Sequence, residues 1–137
     1  MKLEKRLLQS AVILAGVVPV YAGLSGALRG SAFLGAASVP PALDSHLRYL
    51  SGLLAAIGIG FWAAVPQIER RAALFRLLTA MVVAGGLARA VGLAASGWPG
   101  TGMAFGLVME LAVTPLLCVW QGRVAKSCQS RPARADA

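Results

Sequence analysis

The chain has 137 residues, enough for one domain, of which 58% are apolar and only 13% charged, and its mean hydropathy is +0.73. Soluble domains carry about a quarter charged residues, so this composition excludes an ordinary water-soluble fold and makes lipid the solvent. The net charge of +8 does not indicate nucleic acid, because the basic residues sit in short runs between long apolar segments with no aromatic-basic surface on which bases would stack.

In chain order, four segments reach the ~20 apolar residues that a helix needs to cross the hydrocarbon core. They run about 7–28, 47–65, 77–96 and 103–121. Their connections differ in kind. "RGSAFLGAASVPPALDSH" is long and holds Pro40 and Pro41, "PQIERRAALF" is short and basic, and "GWPGTG" is a tight uncharged turn. The predicted fold class is therefore all-α, a polytopic membrane protein built as a bundle of four transmembrane helices. Residues 1–124 form the single transmembrane domain and residues 125–137 a basic, disordered cytoplasmic tail.

The distribution of Lys and Arg predicts the orientation. Lys2, Lys5, Arg6, Arg70, Arg71, Arg76, Arg123, Lys126, Arg131 and Arg134 fall on one side of the spans, against Arg29 and Arg48 on the other. The positive-inside rule then puts both termini in the cytoplasm and two loops outside, and the protein is expected to be multi-pass in an inner membrane. Trp62 and Trp120 lie near the cytoplasmic boundary and Trp98 in the outer turn, as an aromatic belt requires. A cleaved leader is the rival reading of "MKLEKR" and the following apolar run. That run is long for a leader, and Glu4 is unusual in its basic region; cleavage would leave the later helices with the same direction.

Helices in lipid associate through close packing at small residues. Rows spaced by four occur in the second span (Gly52, Ala56, Gly60, Ala64), the third (Ala80, Ala84, Ala88, Gly92, Ser96) and the fourth (Gly102, Gly106, Glu110, Thr114, Cys118, Gly122). These rows are expected to be the packing faces. Pro19 and Pro115 are expected to kink the first and fourth helices and to free the carbonyls of Ala15 and Leu111.

The charges inside the spans single out a candidate site. Arg89, in "GGLARAVGL", lies roughly 10 Å from the outer end of the third helix at 1.5 Å per residue. Glu110 lies at a similar depth on the fourth, so the two face each other across antiparallel neighbours. Gly85, Gly86 and Gly92 are expected to leave room beside the arginine stem. In "ALDSHLRYLSGL", Asp44 reads as the N-cap of the second helix and Arg48 is expected to point inward, with His46 and Tyr49 on a neighbouring face. With Asp44 occupied as a cap, Arg48, Arg89 and Glu110 leave a residual positive charge beside His46 and Tyr49. The predicted ligand-binding set is thus Arg48, Arg89, Glu110, His46 and Tyr49, with Asp44, Gly85, Gly86, Gly92 and Pro115 in structural roles. A structural salt bridge that fixes helix pairing is the plainer reading of Arg89 and Glu110.

No catalytic residue or metal ligand set is visible. Cys118 and Cys128 lack any metal-binding spacing, and there is no nucleophile motif, P-loop or dinucleotide fingerprint. "LDSHLRYLSGL", "GGLARAVGL" and the stretch from Glu110 to Pro115 closing with "VWQGRVA" resemble the uncharacterised bacterial membrane family domain-of-unknown-function 4345, over roughly residues 8–125. That resemblance implies a small protein of four helices and supplies no activity. In architecture alone the chain is also similar to DoxX-like four-helix proteins, some of which are associated with quinone-linked oxidoreductases.

Three functions follow as expectations. The first is a polar, net-positive pocket near the outer face that binds a lipid, a quinone or another anionic or amphipathic small molecule, with no other cofactor predicted. The second is an accessory or scaffold subunit, with the small-residue rows contacting a membrane protein partner or a second copy. The third, and least supported, is a small proton-coupled transporter or membrane enzyme using Glu110. The partners expected are membrane lipid and protein, and not nucleic acid.

Overall fold

A computed structural model describes residues 2–36 and 39–130. Among these residues there is no strand. Helix α1 spans Lys2–Arg29 and continues into a 3-10 turn, Gly30–Leu34; α2 spans Pro41–Ala64, with a 3-10 turn Val65–Gln67; α3 spans Ala72–Ser96. The last helix is composite: α4 (Thr101–Val108), a π turn (Met109–Val113) and α5 (Thr114–Gln129). Four helical stretches, Lys2–Leu34, Pro41–Gln67, Ala72–Ser96 and Thr101–Cys128, are long and apolar enough to cross a membrane. The protein is thus all-α and multi-pass. Its helices exceed the apolar windows because a helix continues through the interface until a local signal stops it. Of the tail expected at 125–137, residues 125–129 continue α5, and 131–137, with Arg131 and Arg134, lie outside the described residues.

The helix ends follow from local chemistry. Pro41 opens α2, where a missing N–H costs nothing, and the Pro40 carbonyl accepts from the amides of Leu43 (2.9 Å) and Asp44 (3.1 Å). α3 stops at Gly97, whose φ of +84° breaks the helix while its N–H returns to the Leu93 carbonyl. α1 runs through Pro19 as one helix.

The chain divides into two compact units, Val12–Ala63 and Met1–Ala11 with Ala64–Ala137. In the first, α1 and α2 approach so closely that glycine is required. A Cβ on Gly23 would lie 2.5 Å from the Ala55 amide nitrogen and 2.7 Å from the Ser51 carbonyl oxygen. Gly58 sits against Val20 and Pro19, and Gly16 lies beneath the Trp62 ring, whose Nε1 donates to the Ile13 carbonyl (3.0 Å). The contact row of α2 toward α1 is therefore Ser51, Ala55, Gly58 and Trp62; of the expected row Gly52, Ala56, Gly60 and Ala64, the first two are exposed and Ala64 is buried in the other unit. A Cβ on Gly52 would meet nothing within 4 Å. The row with Trp62 is chosen because the glycines of α1 lie opposite it, Gly16 against the indole and Gly23 against Ala55.

In the second unit, α3 packs against α4, the π turn and α5. Phe75, Leu78, Thr79 and Gly86 are the buried residues of α3. The expected row Ala80, Ala84, Ala88, Gly92 and Ser96 is exposed throughout. The basic connection is held down by amides: Gln9 Nε2 donates to the Val65 carbonyl (2.8 Å) and buried Gln121 Nε2 to that of Ile68 (2.6 Å). Lys5 pairs with Glu69 at 2.9 Å. Leu8, Ala64, Ile68 and Phe75 are fully buried around this connection.

Candidate functional site

Arg89 and Glu110 meet as the sequence predicts. Arg89 Nε donates to Glu110 Oε2 at 3.0 Å and Nη2 to Oε1 at 2.9 Å, a bidentate fork. Nη1 contacts the Met103 thioether sulfur at 2.8 Å. Both carboxylate oxygens are therefore engaged, while a guanidinium has five N–H groups and only a weak sulfur acceptor takes a third. The arginine side chain is 31% exposed and the glutamate 14%. The pair is electrically neutral, with donor capacity left open on its arginine side.

The glycines around Arg89 divide unequally. A Cβ on Gly86 would fall 2.7 Å from Leu111 Cδ2 and 2.9 Å from Glu110 Cβ, so Gly86 is where the helices touch. A Cβ on Gly85 or Gly92 would meet nothing within 4 Å, so open space lies there and neither glycine is required by a contact. At about 100° per residue, Gly86 lies to one side of Arg89 and Gly85 and Gly92 to the other. The last helix occupies only the Gly86 side. Gly106, which the sequence placed one step before Glu110 in the small-residue row of the last helix, lies beside the guanidinium, its would-be Cβ 3.9 Å from Cζ.

Glu110 lies in the π turn, which the sequence did not predict beyond a proline kink. Pro115 has no N–H, and in an α-helix its ring strikes the carbonyl four residues back. Widening the turn just before it relieves that clash. The Met109 carbonyl then accepts both the Thr114 amide and Thr114 Oγ1 (2.8 Å). The turn also sets the face. In an unbroken α-helix a row of every fourth residue drifts about 40° per step, turning Cys118 and Gly122 about 80° and 120° from Glu110. The π turn takes back about 100°, which returns both to the face of Glu110.

Asp44 and Arg48 form a separate cluster within the other unit. Asp44 does not cap α2. Its Oδ1 accepts the Ser31 amide of the preceding 3-10 turn (2.7 Å), and its Oδ2 accepts Arg48 Nε (2.7 Å). Arg48 Nη1 donates to the carbonyls of Ala27 (3.0 Å) and Leu28 (2.8 Å), which the end of α1 leaves unpaired. Asp44 thus serves the next N–H after α1 because Pro40 already terminates α2 from behind. Gly30, at φ +57°, is needed here, since a Cβ would strike Asp44 Oδ1 and the Arg48 guanidinium. The positive charge that the sequence left on Arg48 is cancelled by Asp44. His46 and Tyr49 lie about 160° and 100° round the helix from Arg48; both are exposed, their rings 6.5 Å apart. Within its unit, then, Arg48 shares partners with Asp44 and not with His46 or Tyr49.

Four apolar helices carrying an intramembrane arginine–glutamate fork define a multi-pass α-helical membrane protein. The family model described as Domain of unknown function (DUF4345) matches residues 7–121, and the chain belongs to that family. No curated protein and no solved structure matches the chain.

Proposed function

We propose that this protein binds a carbonyl- or phosphate-bearing amphipath, a lipid or a quinone, at the Arg89–Glu110 fork. It does so as a bacterial inner-membrane protein with both termini in the cytoplasm, the orientation that its basic flanks favour. One observation carries the reading: Glu110 fills two of the guanidinium N–H groups, and the rest face only a thioether and the exposed side of the residue. In hydrocarbon an open donor is costly, and an oxygen acceptor on a membrane-soluble molecule removes that cost. Because Glu110 already neutralises the charge, a neutral carbonyl fits as well as an anion. Engagement of both Glu110 oxygens favours binding over proton exchange by that carboxylate.

The test is native mass spectrometry of protein extracted gently from its own membranes. The wild type is expected to retain a small amphipathic mass that the Arg89→Ala/Glu110→Ala double variant loses. An empty wild type, or equal retention by a folded double variant, overturns the reading. A protein partner retained in place of any small molecule favours the scaffold alternative.

A further inference from the structure

Away from the fork, a groove of about 200 Å³ opens between the first turns of α3 and the last turns of α5, lined by Ala72, Arg76, Cys118, Gln121, Gly122, Ala125 and Lys126. We propose that this groove is a binding site for the phosphate headgroup of an anionic phospholipid.

The groove carries two cations and no carboxylate. Arg76 uses only Nε, in a bond to the Ala72 carbonyl (3.2 Å). Among the described residues its four remaining N–H groups and the Lys126 ammonium have no partner. Glu69, on the adjoining connection, is already paired with Lys5. The floor is made of small residues, Ala72, Gly122 and Ala125, which leave the volume open. It amounts to about six or seven water-sized groups, room for a phosphate and a short polar head. Buried Gln121 is fixed to the Ile68 carbonyl and braces the wall.

Depth selects the source of the phosphate. Arg76 immediately precedes the apolar run Leu77–Ser96, and Lys126 follows the end of the run at Gln121 by five residues, about 7 Å of helix. Both cations therefore sit at the headgroup level of a bilayer, where basic pockets between helices take anionic lipids. The groove reaches Cys118, inside the fourth apolar run, and so opens toward the hydrocarbon, the direction in which acyl chains leave a headgroup.

The test measures lipid retention by the whole protein, using native mass spectrometry after exchange into mixed micelles of phosphatidylglycerol or phosphatidylcholine. Phosphatidylglycerol is expected to be retained selectively. Each cation near an anionic surface contributes about a fivefold factor, so Arg76→Gln or Lys126→Gln should weaken retention about fivefold and the double variant about 30-fold. Arg123→Gln, an exposed cation outside the groove, should leave it unchanged. Phosphorus NMR on the unmodified protein supplies a second readout, with selective broadening of the phosphatidylglycerol resonance. Equal retention of both lipids, equal loss with Arg123→Gln, or inorganic phosphate displacing the lipid and matching its effect would each overturn the proposal.

Discussion

Removing Glu110 should harm this protein more than removing Arg89. Glu110→Ala leaves a guanidinium among apolar helices with no anion, and a guanidinium has no neutral form at accessible pH. An unpaired arginine at the centre of a span costs about 2.5–3.5 kcal/mol on insertion scales. Arg89 is 31% exposed and lies toward one end of α3, so about 2 kcal/mol is the appropriate figure. Arg89→Ala leaves a carboxyl group, which a proton can neutralise, and about 1 kcal/mol is expected. The double variant removes both charges and should return to within about 1 kcal/mol of the wild type, since replacing a buried pair outright is often near neutral. Reversible unfolding in mixed micelles, titrated with denaturing detergent and followed by circular dichroism, measures all four proteins. A Glu110→Ala variant as stable as the wild type, or a double variant that loses the sum of the two singles, would refute the reasoning.

Two further effects follow. Gly23→Ala directs its new Cβ at the backbone of Ala55 and Ser51, which cannot rotate away, so it should cost about 1–3 kcal/mol; Gly52→Ala meets open space and should be neutral or stabilise by up to about 1 kcal/mol. The same unfolding assay compares them, and equal losses would contradict the assigned contact row. Burial raises the Glu69 carboxyl, but contact with Lys5, a backbone hydrogen bond and the charges of Lys5 and Arg70 outweigh it and hold the group below its ordinary value of 4.5. A lowered folded value means that the paired carboxylate contributes stability above the ordinary carboxylate range and loses it as pH falls through the folded value. The wild type should exceed Glu69→Gln by a constant margin, about 1 kcal/mol for a partly exposed pair, from pH 7 to about 5. The margin should vanish on further acidification, and one that grew there would show the opposite sign.

The four spans, the antiparallel pairing of α3 with the last helix and the meeting of Arg89 with Glu110 were legible in the sequence. Hydropathy and a six-residue turn impose them without reference to any distant contact. The packing rows of the second and third spans were not. Every helix offers more than one row of small residues, and a row read at fixed spacing names no partner. The exposed face of Ala80, Ala84 and Ala88 shows how a regular pattern can have no packing role among these helices. Pro115 marked the right place in the last helix, but the π turn that absorbs it depends on how a ring and a carbonyl are accommodated in three dimensions.

The sequence by itself determined that lipid is this chain's solvent, where its helices cross and that a buried arginine needs a carboxylate on the next helix. Those outcomes rest on composition and spacing along one dimension. Only the tertiary structure decided that Asp44 and Arg48 are spent on each other and on the end of α1, that Gly86 rather than Gly85 or Gly92 bears the contact, and that Arg76 and Lys126 share one groove. Such outcomes depend on which donors other segments have already satisfied, and a hydrogen bond is fixed by position in space, not by distance along the chain.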